Sequence, residues 1–238
     1  MRIFIVYSHP EPKSLNGAML RTAHATLTSA GHDVVVSDLY AMKFDPVSDR
    51  KNFTTVLDPN YYRQQPEEAH AAAHDGFAPE LKAEMDKLFW CELLILQFPM
   101  WWFGLPAMLK GWIDRVFAFE RVYGFGKRFD KGVLVGKRAM CALTTGGLAP
   151  SFSAHGLSGP IDMLLFPINH GMLYFTGFTV IEPFIIHGAA RRSDEERKAE
   201  LERFRERLLS LDTAPTISYP KLDEYDERFV LKEKSRAD

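Results

Sequence analysis

Cysteine is scarce in this chain. Of 238 residues only Cys91 and Cys141 are cysteines; they stand far apart, each in an apolar stretch, which excludes a CxxC redox or zinc motif and reads as core thiols in a reducing compartment. An excess of one charge is missing too: 29 Lys and Arg against 31 Asp and Glu give a formal net charge of -2. Apart from short clusters such as Arg191 and Arg192 the basic residues are scattered, so no footprint for nucleic acid exists and no such partner is expected. The apolar run inside MRIFIVYSHP is too short for a signal peptide. The richest later segment is broken by Lys110, Asp114 and Arg115 before it reaches the ~18 apolar residues of a membrane span. We expect a cytoplasmic protein with no membrane insertion. The GxGxxG fingerprint of dinucleotide-binding folds is also absent.

What remains is an ordinary globular balance, 46% hydrophobic and 25% charged, with enough apolar residues for a core. The length is long for one ordinary domain and short for two. From Pro215 the composition turns polar and charged with no helical stripe. We read residues 1–214 as one domain and 215–238 as a C-terminal arm or disordered end.

The segment LILQFPMWWFGLPAMLKGWIDRVF, from Leu94 to Phe117, is the most informative. A buried strand runs into PMWWFG, a turn with three consecutive aromatics, then into a helix whose Leu109, Trp112, Ile113, Val116 and Phe117 share one face. That much ring surface on a loop suggests a planar ligand. Other strands are expected at Ile3 to Val6, taken as the central strand, and at Val34 to Val36, Ala139 to Thr144 and Thr179 to Ile186. The last contains Pro183 and therefore suits a sheet edge. Helices are expected at Ala18 to Ser29, Pro79 to Phe89, within Pro160 to Phe175 with a disturbance at Pro167, and from a Ser193/Glu196 capping box to about Leu211. Residues 40 to 78 lack periodicity and read as an excursion. Alternation of strand and helix argues for a doubly wound α/β fold, a parallel sheet with helices on both faces. Ligands bind beyond the carboxyl ends of such strands, so the loops SHPEPKSLNG, PMWWFG and TTGGLAPSF should converge.

Each loop has two readings. Ser14 and Asn16 precede a helix whose free N–H groups can hold a phosphate, with His9 as a further donor; they are equally a cap and a turn histidine. Trp101, Trp102 and Phe103 can pack on a ring system, or bury in a core or a subunit interface. Thr144, Thr145, Gly146 and Gly147 offer hydroxyls and close backbone approach, or form a plain glycine turn. Together the loops supply what a flavin needs: a helix start for phosphate, aromatics around the rings and N–H donors at the pyrimidine end.

The stretches VYSHPEPKSLNGAM, SDLYAMKFDP, LQFPMWWFGLPAMLKGWIDRVF, TTGG and FPINHGMLYFTGFTVIEP occur in the same order as segments of the NAD(P)H:quinone oxidoreductase family, which the chain resembles over about residues 2 to 210. The resemblance implies a flavodoxin-like five-stranded parallel sheet, FAD as cofactor and NAD(P)H as co-substrate. It also implies a homodimer with sites at the interface and two-electron, ping-pong reduction of small quinones. By position, His9, Ser14, Leu15 and Asn16 lie at the FAD pyrophosphate, Pro99, Met100, Trp101, Trp102 and Phe103 flank the flavin, and Thr144, Thr145, Gly146 and Gly147 bond its pyrimidine end. Arg197 matches an arginine near the adenine half. The partner supplies Tyr123 and Phe125 over the flavin face, and Phe152 and Phe175 belong to the substrate pocket.

There are departures from the family. Where its best-known member carries a tyrosine and a histidine proposed to relay charge, this chain has Phe152 and Ser158, neither able to do that task. Gly147, Phe152 and His155 are the candidate catalytic residues that remain, His155 being either a substitute for the relay or a plain loop histidine. One mammalian paralogue binds a structural metal through histidines and a cysteine; His170 fits one position, but Tyr174 stands at the next and the tail has no cysteine, so no metal is expected. Two other functions stay open: an FMN-dependent azo or nitroaromatic reductase, and an ancillary subunit of a glutathione-gated potassium efflux system.

Overall fold

All strands of the sheet are parallel and alternate with helices, as the hydrophobic pattern requires. The computed structural model describes residues 1–233. In chain order the elements are β1 (Arg2–Tyr7), α1 (Leu15–Ser29), β2 (Asp33–Asp38), α2 (Gln64–His74), α3 (Pro79–Trp90), β3 (Leu93–Pro99), α4 (Ala107–Val116), β4 (Arg138–Thr144), α5 (Ile161–Ile168), β5 (Thr179–Ile186) and α6 (Asp194–Leu209). The sheet order is β2-β1-β3-β4-β5.

Strand alternation divides the core in two. Phe4, Val6, Leu94, Leu96 and Phe98 point to the face covered by α3, α4 and α5, where Met85, Trp112 and Leu165 meet them. Ile3, Ile5, Leu93 and Ile95 point to the other face, against Met19 and Leu27 of α1 and Phe204 and Leu208 of α6. Successive side chains leave a strand on opposite sides, so a continuous apolar run is buried only when both faces are covered. Cys91 and Cys141 are buried free thiols, pushed by burial up to about 11 and about 12.

Three expectations need correction. The central strand is β3, with β1 beside it; both are apolar runs with neighbours on each side, so composition could not separate them. The excursion contains a helix, α2, whose buried residues are Glu67, Glu68 and Ala71. It is held by carboxylates and not by an apolar stripe: Glu67 accepts from the N–H groups of Leu57 and Asp58 at 2.8 and 3.1 Å, and Glu68 from that of Phe119 at 2.7 Å. Helix α1 begins at Leu15, a turn earlier than expected, because Ser14 caps it through a bond from Gly17 N–H.

Strand β5 is one of the two edges, and its pairing with β4 shifts register between Met140 and Ala142, close to where Pro183 has no N–H to give. The outer side of β5 is covered by the C-terminal arm: Glu182 N–H donates to Pro215 O at 2.9 Å and Ile217 N–H to Val180 O at 2.8 Å. Further along, the Tyr174 hydroxyl donates to Pro220 O at 3.0 Å, and Tyr219 packs on the rings of His170 and Tyr174. Residues 234–238 of the expected arm lie outside the described residues.

Candidate active site

Because every strand runs the same way, the loops after β1, β3, β4 and β5 leave from one edge of the sheet. They enclose a cleft of about 690 Å³. His9, Ser14, Leu15, Asn16, Pro99, Met100, Trp101, Thr144, Thr145, Gly146 and Arg197 all line it. Thus most of the residues singled out in the sequence meet in one place.

At the β1 end, His9 Nδ1 accepts from Glu11 N–H at 3.0 Å and lies 3.1 Å from Ser14 Oγ. Acceptance at Nδ1 leaves the proton of a neutral ring on Nε2. Ser14 is a helix cap, bonded by Gly17 N–H at 3.1 Å, while Leu15 and Asn16 occupy the first turn, where amides have no partner within the helix. The side chain of Asn16 is buried, with Nδ2 donating to Thr144 Oγ1 at 2.9 Å. Its Oδ1 is buried with no partner. An orphan acceptor in a cleft wall suits a ligand donor.

The aromatic turn is a tight two-residue reversal. Trp101 and Gly104 exchange backbone bonds at 3.2 and 3.0 Å, and Trp102 and Phe103 between them have φ of 50° and 59°. Two bulky residues in succession in the left-handed region are costly, and such strain concentrates at functional sites. Trp101 lines the cleft beside His9, whereas Trp102 is 98% exposed and Phe103 about half exposed. The turn is fastened to the next loop by Met100 N–H donating to Thr144 O at 2.8 Å.

In TTGG the two glycines differ. A Cβ at Gly146 would meet nothing within 4 Å, whereas one at Gly147 would lie 2.9 Å from Ser151 Oγ and 3.0 Å from Phe152 Cε2. Gly146 therefore opens on the cleft, and Gly147 makes room for Phe152. Phe152 is buried and its ring centroid lies 5.3 Å from that of His187. His155 is exposed on the same loop.

Tyr123, Phe125 and Phe175 are not brought to this cleft within one chain. Tyr123 packs on Phe175 at 5.5 Å, and both line a separate recess of about 210 Å³ together with Glu68. Burial holds the Glu68 carboxyl above its usual range. Phe125 is 89% exposed. Arg197 closes the far end of the main cleft, paired with Asp194 at 2.9 Å in the first turn of α6.

One residue escaped the sequence reading. His187 directly follows β5, and its Nδ1 lies 3.0 Å from Thr145 Oγ1. Burial, then Arg192 and Arg203, hold its ring below the usual histidine value. Its position beyond the carboxyl end of a strand was the available signal. Among the described residues no group of three or more His, Cys, Asp or Glu could hold a metal ion, and no helix is long and apolar enough to cross a membrane.

The flavodoxin-like fold family model matches residues 1–210. A ribosyldihydronicotinamide dehydrogenase-like protein from Penicillium crustosum is 40% identical over 92% of this chain and 84% of its own length. An NAD(P)H dehydrogenase [quinone] from Cavia porcellus is 38% identical over 92% and 80%. The chain belongs to the NAD(P)H:quinone oxidoreductase family. A solved structure from Klebsiella pneumoniae, described as a candidate quinone reductase, superposes with a TM-score of 0.93 at 36% identity, covering 98% of this chain and 95% of that one. In the loop after β4, Phe152 packs on His187 and Ser158 N–H bonds Ser151 O at 2.8 Å.

Proposed function

We propose that the chain is an FAD-dependent NAD(P)H:quinone oxidoreductase with ping-pong kinetics, working in the cytoplasm as a homodimer. The observation that carries this reading is the extent of the cleft. It runs from Gly146 and Pro99, past the start of α1, and on to Arg197 and Leu201 of α6. A mononucleotide needs only the part up to the helix start; the extension suits the adenine half of a dinucleotide. Unpartnered Asn16 Oδ1 and the open space at Gly146 fit the same ligand.

A bound flavin supplies the redox chemistry, accepting a hydride from NAD(P)H and passing two electrons to a quinone. The protein's share is to bind and orient. His9 and the first-turn amides of Leu15 and Asn16 hold the pyrophosphate at the positive end of α1. Pro99, Met100 and Trp101 wall the rings, with Trp102 and Phe103 presented outward by their turn, and Thr144 to Gly147 hold the pyrimidine end, where backbone donors stabilise developing negative charge. Arg197 serves the adenine half. Phe152 contributes an apolar wall to the substrate pocket and cannot donate a proton, while His155 is exposed on the same loop. Tyr123, Phe125 and Phe175 do not line the cleft of their own chain, and Phe125 is almost bare, which supports their service to the site of a second copy. In this reading donor and acceptor take turns at the same flavin, and nicotinamide leaves before the quinone enters.

The test is to purify the protein, identify its extracted flavin by mass, and follow the visible flavin band while NADH or NADPH and then a quinone are added. Bleaching by the reductant, recovery with the quinone and a dimer by light scattering are expected. A colourless protein that FAD cannot reconstitute overturns the reading; tight FMN and no FAD corrects the cofactor.

A further inference from the structure

Thr145 has one hydroxyl proton, and it is donated to Gly147 O at 2.8 Å. The contact of Thr145 Oγ1 with His187 Nδ1 at 3.0 Å must then take its proton from the ring, which fixes the neutral imidazole as the Nδ1–H form. The same segment grips the turn again through its backbone: Gly188 N–H donates to Gly147 O at 2.8 Å, and Ala189 N–H to Thr145 O at 3.0 Å. The imidazole is held from its other side by Phe152, and Arg192 Nε donates to His187 O at 2.9 Å.

We propose that His187 is a positioning residue for the proposed flavin site, its Nδ1–H holding the Thr145 hydroxyl so that the Thr145–Gly147 turn keeps the shape that presents its backbone to the cofactor. This rests on the flavin reading above. The charged groups around the ring are Arg192, Arg203 and Glu200. Glu200 does not compete for the ring, because its oxygens are engaged by Arg192 at 2.7 Å and Arg203 at 2.5 Å. Burial, then the two guanidinium groups, favour the uncharged imidazole, which acts as a hydrogen-bond donor through Nδ1. His187, and not His155, is the histidine joined to both Phe152 and TTGG.

The test has two parts. Nitrogen-15 NMR of the flavin-free protein at pH 7.5 should show the His187 ring as the Nδ1–H tautomer. Flavin titrations should then separate His187→Asn, whose amide can replace the Nδ1–H donor, from His187→Leu, which keeps bulk without a donor. His187→Leu should weaken flavin binding about three- to tenfold, the range a net hydrogen bond gives, with His187→Asn within about twofold of wild type. An Nε2–H tautomer, equal loss in both variants or no loss in either overturns the proposal while wild type still binds flavin. A wild-type protein that binds no flavin sinks the flavin reading and the role of His187 with it.

Discussion

Asn16 Nδ2 donates to Thr144 Oγ1 at 2.9 Å across 128 positions of sequence, tying the first turn of α1 to the end of β4. The neighbouring Gln97 side chain donates to Asn16 O at 2.7 Å, so the ends of three elements meet on one amide residue. Asn16 Oδ1, left without a partner, faces the ligand side of this junction in the function we propose.

Replacing Asn16 by Ala removes that acceptor and the bond to Thr144. Flavin affinity should fall by about tenfold, and unfolding stability by about 1 kcal/mol. Fluorescence titration and urea unfolding measure the two quantities. Unchanged affinity would show that Oδ1 does not meet the cofactor.

The glycines of TTGG should respond in opposite ways. Gly146→Ala places its methyl in open space, so the melting temperature should hold while flavin affinity drops. Gly147→Ala drives a methyl against Phe152 and Ser151, costing about 1–3 kcal/mol of stability. Thermal melts of the flavin-free variants decide between this pattern and a common effect.

Trp102 and Phe103 both sit at positive φ. The double substitution Trp102→Asn with Phe103→Gly relieves that strain and should stabilise the flavin-free chain by about 1–3 kcal/mol. Flavin binding or dimerisation should weaken at the same time, because the exposed rings are lost. A lower melting temperature would mean that the turn is not strained.

His170 and His187 are both held by burial below the usual histidine value of 6.5. Between the lowered folded values and 6.5 the unfolded chain binds more protons than the folded one, so stability rises with pH in that window and is lost as pH falls through it. Melting temperatures measured from pH 7.5 down to 5 should fall. The combined His170→Asn and His187→Asn substitutions should flatten that slope, and an identical slope would remove both residues from the cause.

Strand positions and the helix after PMWWFG were legible because burial on two faces forces continuous apolar runs and burial on one face forces a helical stripe. Helix α2 was not, since Glu67 and Glu68 hold it by accepting backbone N–H groups, and a carboxylate in that task looks like a solvated one in sequence. The middle place of β3 was hidden for a related reason: β1 and β3 satisfy the same pattern.

At the site, the loops after β1, β3 and β4 could be named from their glycines, aromatics and caps, each feature being local to a few residues. His187 could not, because its significance lies in a contact with Thr145, 42 positions away. The separation of Phe175 from the cleft was likewise invisible until the chain was folded. Sequence by itself determined the parallel α/β architecture and the loops at the carboxyl edge, since these follow from periodicity and short-range chemistry, and it carried the family through the resemblance of whole segments to those of known members. Tertiary structure alone decided which side chains meet, which glycine opens on the cleft and which histidine serves the turn, because those depend on register and packing between segments that no local pattern encodes.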